Sequence, residues 1–230
     1  MTEQEWLVCC DPHRMLNFLR GRWQGRKQRL FAAACCRQIA HHFPGNPLPG
    51  TVLAAERYAD GVLSVGQLRV AQEQLLDRME VVTQAGSVTE SFFLNAGYEA
   101  ASLDPDGDGA FVFVARNHAA DAVWALAGED MQYDEARLEA MQKAKGTEEK
   151  KQAAILRHII GHPFRHYLVP ASWPVAAVEL AQALYDGTGG RLILADALEE
   201  AGHQELAEHF RAEELHPKGC WAMDLVLGKQ

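Results

Sequence analysis

The residues of this chain best suited to bind a cation begin with Asp104, Asp106 and Asp108, in the loop Asp104-Pro105-Asp106-Gly107-Asp108-Gly109. Their oxygens fall at positions 1, 3 and 5 of a calcium-binding loop, with glycine at position 6. Position 12 of such a loop should hold an acid that supplies two oxygens, and here it is Ala115; position 9 is Val112. The pattern is an incomplete calcium-type site, and the bland reading is an acidic surface turn.

Zinc is the second cation the side chains suggest. Cys35, Cys36, His41 and His42 fall on one expected helix, but residues seven apart on a helix are separated by roughly 10.5 Å of rise. Zinc ligands all lie within about 2.0–2.3 Å of the metal, so Cys35 and His42 cannot share an ion on an unbroken helix. A zinc site in this chain must draw on the fold, joining Cys9, Cys10 or Cys220 to these residues. His158, His162 and His166 are spaced by four, yet Gly161 and Pro163 break the helix that would stack them. Together with Arg157 and Arg165 they read as cations gathered at a helix C-terminus, where the dipole favours them, or as a patch for an anion.

Covalent and phosphate chemistry find no pattern. The chain has no Gly-x-Ser-x-Gly, and no cysteine stands beside an obvious histidine partner. Gly187-Thr188-Gly189-Gly190-Arg191 lies between two expected helices and lacks the lysine and preceding strand of a phosphate loop. Asp196, Glu199 and Glu200 share a helix with Arg191, which suits ion pairing better than acid–base work without a cleft.

The chain that must position these groups has 230 residues, enough for a sizeable core. Hydrophobic residues make up 48% and charged residues 23%, the composition of a folded globule. A net charge of −9 and the lack of a long basic block argue against nucleic acid as a partner; the densest basic stretch, Arg20 to Arg29, reads as a solvated helix start. No apolar run reaches the ~18 residues of a membrane span. The acidic start Met1-Thr2-Glu3-Gln4-Glu5-Trp6 lacks the basic and apolar regions of a signal peptide, and cytoplasmic residence is expected. Five cysteines, in two adjacent pairs and a singleton, are not a secreted disulfide framework.

Helix punctuation is legible along the sequence. Thr2 with Glu5, Ser64 with Gln67 and Ser87 with Glu90 fit capping boxes, and Asp11-Pro12 places proline at a first helical position. Thr51 and Thr147 read as further N-caps, and Gly21, Gly61, Gly161, Gly187 and Gly202 as helix stops. The Phe111-Val-Phe-Val start is ambiguous between helix and strand. Residues 134–151 are highly charged with Gly146 in the middle, and read as an exposed helix pair or a hinge. The expectation is an all-α, multihelical globular bundle of about ten to twelve short helices. It forms a single domain over 1–230, with a hinge or subdomain boundary near 104–110 or 145–148.

Both ends of the chain carry distinctive strings: Met1 to Leu7, Asp11-Pro12, Met15 to Gly21, Arg29 to Arg37, Gly161 to Arg165, and Gly219-Cys220-Trp221-Ala-Met-Asp224-Leu225-Val-Leu227-Gly228-Lys229. As a set they resemble a family of uncharacterised bacterial proteins that occur in many copies per genome. Arg191 to Gly202 is similar to the core helix of the repeat-companion domain, which accompanies repeat arrays in multidomain bacterial proteins. Neither resemblance implies a reaction. Residues 87–147 depart most from the pattern and are where a function particular to this chain is expected.

These observations favour a non-enzymatic helical interaction or accessory module with a protein partner and no obligatory cofactor, calcium and zinc being the cations worth testing. The alternative is a metal-dependent hydrolase whose residues are scattered through the fold. Trp6, Cys35, Cys36, Arg165, Arg191, Asp196, Trp221 and Asp224 are expected to serve structure or interaction. The C-terminal helix with Trp221 is expected to dock on a stripe of Arg191, Leu194, Leu198 and Ala201.

Overall fold

A computed structural model describes residues 1–23, 25–43, 45–103 and 109–229. Among the described residues the chain is all-α, 71% helical in twelve α-helices, with no strand. No helix of the described chain is long and apolar enough to cross a membrane. Cα packing divides the chain into two compact units, Met1–Leu156 and Arg157–Gln230.

The first unit begins with α1 (Glu3–Val8) and α2 (Pro12–Leu19), both capped as the sequence predicts. Thr2 and Glu5 form the reciprocal box, and the Asp11 carboxylate accepts from the amides of His13 and Arg14. Its centre is α3 (Arg26–Ile39), ten of whose residues are buried, among them Phe31, Cys35 and Cys36. Runs of alanine and cysteine let neighbouring helices approach α3 on several sides: α4 (Leu48–Ala59), α6 (Val88–Ala100) and α7 (Ala110–Ala127). Arg29, buried in α3, donates through Nη1 to the carbonyl of Ala100 (2.9 Å) and through Nη2 to that of Ser102 (2.8 Å). These are carbonyls that the end of α6 leaves without intrahelical partners.

Two local expectations differ, and one open choice is resolved. Thr51 does not cap α4, which starts at Leu48; prolines fit the first turn of a helix, and Pro47 is the N-cap. The Thr51 hydroxyl instead donates to the carbonyls of Pro47 (3.3 Å) and Ala71 (3.1 Å), tying α4 to α5 (Val65–Ala85). The segment after Phe111 is helical from Ala110 on. Finally, α8 (Glu135–Ile160) runs unbroken through Gly146, with the Thr147 hydroxyl bonded back to the carbonyl of Lys143 at 2.8 Å. One interior glycine costs a helix only about 1 kcal/mol, which 26 residues of α8 absorb.

The second unit contains the last turn of α8, then α9 (Val175–Tyr185), α10 (Arg191–Glu200), α11 (Gln204–Ala212) and α12 (Trp221–Leu227). Their inner faces make one core of Ala177, Ala181, Leu194, Leu198, Phe210, Met223 and their neighbours. α10 packs on α11, and α12 packs chiefly on α9. Ala177 and Ala181 leave room on α9 for a close approach, so α9, more than the α10 stripe, receives the C-terminal helix.

Candidate metal centre

α11 ends where the α10 residue Arg191 reaches its open carbonyls. Nη1 of Arg191 donates to the carbonyl oxygens of Phe210 (2.8 Å) and Arg211 (3.0 Å). Glu213 then turns to extended backbone, φ −108° and ψ 134°. The chain reverses at Pro217–Gly219, where the Cys220 amide bonds the Pro217 carbonyl at 2.9 Å and Gly219 has φ 85°. This tight turn sets His216 and Cys220 beside His209. His158, in the last turn of α8, completes the group.

One donor atom from each of His158, His209, His216 and Cys220 lies within 4.8 Å of all the others. Nε2 of His209 is 3.2 Å from the Cys220 sulfur, and Nδ1 of His216 is 3.7 Å from it. The three imidazole centroids are 5.1–5.8 Å apart. Zinc bond lengths of about 2.0–2.3 Å in a tetrahedron set donor–donor separations of roughly 3.3–3.8 Å. The two sulfur contacts fall within or close to that range, so a metal requires a contraction of about 1 Å at the widest pair.

The outer nitrogens of two of the three rings, His158 and His216, face one residue. The Glu213 carboxylate lies 3.4 Å from Nε2 of His158, and Nε2–H of His216 donates to the Glu213 carbonyl at 3.1 Å. Those contacts leave Nδ1 of both rings as the nitrogen offered inward. Nδ1 of His158 is buried and has no hydrogen-bond partner. An imidazole nitrogen buried in this way costs about 1–3 kcal/mol, and a bound cation removes that cost.

Electrostatics keep the rings in the ligand form. Burial first, then the neighbouring His216 and His158, pushes His209 down to about 3. Burial, then His158, pushes His216 down to about 4. Burial lowers His158 as well, against the pull of Glu213. All three are neutral near pH 7, with lone pairs available to a metal.

The expected residues fall elsewhere or around this cluster. Trp6, Cys35 and Cys36 are core residues of the first unit. Burial raises the Cys35 thiol well above its usual range and pushes Cys36 up to about 12, which suits packing and not metal ligation. His41 and His42 also belong to the first unit, with rings 3.9 Å apart; the histidines gathered around Cys220 are others. His162 and His166 are not among the four donors. Asp104, Asp106 and Asp108 lie outside the described residues.

Arg165 is exposed. Asp196 is exposed too, and pairs with Arg211 at 2.6 Å. Asp224 is buried in the first turn of α12. Trp221 is half-buried and stands 5.3 Å, edge to face, from His209. Against it lies Gly161, at φ +71°, where a Cβ would come within 2.7 Å of the indole Cγ.

The sequence reading missed His209 and His216. His209 and His216 are seven residues apart and Cys220 follows four later, across a helix end and a Pro–Gly turn, so neither helical periodicity nor a short Cys-x-x-Cys motif marks the set. Compared with protein-family models, with curated proteins and with solved structures, the chain matches none.

Proposed function

We propose that this protein is a non-enzymatic helical accessory module whose C-terminal unit is held together by a zinc ion on His158, His209, His216 and Cys220. The observation that carries the reading is the convergence of four donor atoms, three imidazole and one thiol, within 4.8 Å. A mixed nitrogen–sulfur set suits zinc ahead of calcium or magnesium, which take oxygen. Four protein ligands fill a tetrahedral shell and leave no position for a water nucleophile, so the site reads as structural and not as that of a hydrolase. Cys220 belongs to the Gly219-Cys220-Trp221 string by which the C-terminus resembles the multi-copy bacterial family, a membership we propose on those motifs.

Metal analysis of the purified chain tests this directly. One zinc per chain is expected, lost in both Cys220→Ser and His209→Ala. Wild-type protein that remains metal-free after incubation with zinc overturns the reading.

A further inference from the structure

Resting on that reading, the geometry points to Glu213 as the positioning residue of the metal centre, its carboxylate orienting His158 while its backbone carbonyl orients His216.

A histidine ligates through one nitrogen, and the hydrogen bond made by the other decides which one it is. In metal sites that second bond commonly goes to a carboxylate or a backbone carbonyl, which fixes the ring and makes it a better base. Glu213 supplies both kinds. Its Oε2 lies 3.4 Å from Nε2 of His158, and its carbonyl oxygen 3.1 Å from Nε2 of His216. With both Nε2 atoms protonated and engaged outward, both Nδ1 atoms carry inward lone pairs; that of His158 is buried without a partner.

Glu213 also donates its amide to the carbonyl of His209 at 3.3 Å, a backbone contact that a side-chain substitution leaves in place. Its backbone can serve two rings at once because the chain leaves α11 there in extended conformation. Its side chain is half-exposed, 53% accessible. It therefore adds little to the core, and removing it acts on the metal more than on the fold.

The experiment measures zinc affinity by competition with a chelating indicator in wild type, Glu213→Ala, Glu213→Gln and Glu214→Ala. Visible spectra of the cobalt(II) forms accompany it. Glu213→Ala is expected to bind zinc about 10–100-fold more weakly, the range for loss of an outer-sphere partner, with the metal-free melting temperature unchanged. Glu213→Gln, whose amide oxygen still accepts from Nε2–H, should recover part of the loss. Glu214→Ala removes the same charge from the exposed neighbouring position and should bind as wild type does. Cobalt(II) should give the intense bands of a four-coordinate ion in wild type and weaker ones in Glu213→Ala.

Wild-type affinity in Glu213→Ala, or an equal loss in Glu214→Ala, overturns the role of Glu213 and leaves the metal centre standing. Wild-type protein that binds no zinc overturns both.

Discussion

Nε2 of His209 and Sγ of Cys220 stand 3.2 Å apart, although one closes α11 and the other opens α12. The contact depends on the turn between the two helices. A bound metal would grip both ends of that turn, while His158 adds a third point from α8.

The first expectation concerns metal removal. Any ligand that binds only the folded state raises stability with its concentration, by about 2.7 kcal/mol at a hundred times its dissociation constant. Stripping the protein with a strong chelator should lower the melting temperature, and zinc should restore it. Limited proteolysis should cut the stripped chain between Glu213 and Cys220. An unchanged melting temperature and cutting pattern would remove the structural role.

The metal-free protein should also lose stability in acid, and the sign follows from the histidines. His209 and His216 titrate near 3 and 4 in the folded chain, against about 6.5 when unfolded. Between those values the unfolded chain binds more protons, so stability is complete above about pH 6.5 and falls as the pH drops. Each such ring tilts the unfolding free energy by up to about 1.4 kcal/mol per pH unit, less for one that keeps contact with solvent. Denaturant unfolding from pH 7.5 to 4.5 measures it, and His209→Phe should flatten the dependence.

A buried acid in the first unit acts in the opposite sense. Glu148 in α8 is 3% exposed, one of its carboxylate oxygens has no hydrogen-bond partner, and Lys151 is 3.7 Å from the other. Burial raises its pKa against the pull of Lys151. The folded chain therefore favours the protonated form, and ionisation costs stability as the pH rises through the folded value. Glu148→Gln should raise the melting temperature at pH 8 by about 2–4 °C, the equivalent of ~1 kcal/mol in a chain of this size. The gain should shrink towards pH 5. A variant that melts lower than wild type at pH 8 would show that the charge is a net stabiliser.

Gly161 is the fourth test. Its φ of +71° is left-handed, and a Cβ there would strike the Trp221 ring. Gly161→Ala should cost roughly 2 kcal/mol or more, about 1–2 from the backbone alone. Because Trp221 stands against His209, zinc affinity should fall with it. Near-ultraviolet circular dichroism and the zinc competition assay read the two effects.

Much of the helical layout was legible in the sequence because its signals are local. Thr2 with Glu5, Asp11 before Pro12, and Ser64 with Gln67 each satisfy amide groups within a single turn, and no distant residue alters that. Thr51 and Gly146 misled because their roles were decided elsewhere: Thr51 by a carbonyl on α5, and Gly146 by the continuous helix on either side of it. The metal centre was hidden for the same reason. His158 reaches it from α8, Arg191 of α10 fixes the end of α11, and Glu213 acts partly through its carbonyl, which no residue type encodes.

His158 and Cys220 stand 62 positions apart in the chain. An ion shared between them closes a loop of that length and is a cross-link made without oxidation. In the chain-entropy picture, a permanent link around some sixty residues removes about 4 kcal/mol of disorder from the unfolded state. Unlike a disulfide, this staple would open whenever competing ligands drew the metal away. The firmness of the last third of the chain would then follow the zinc supply of its surroundings, with no change in any covalent bond.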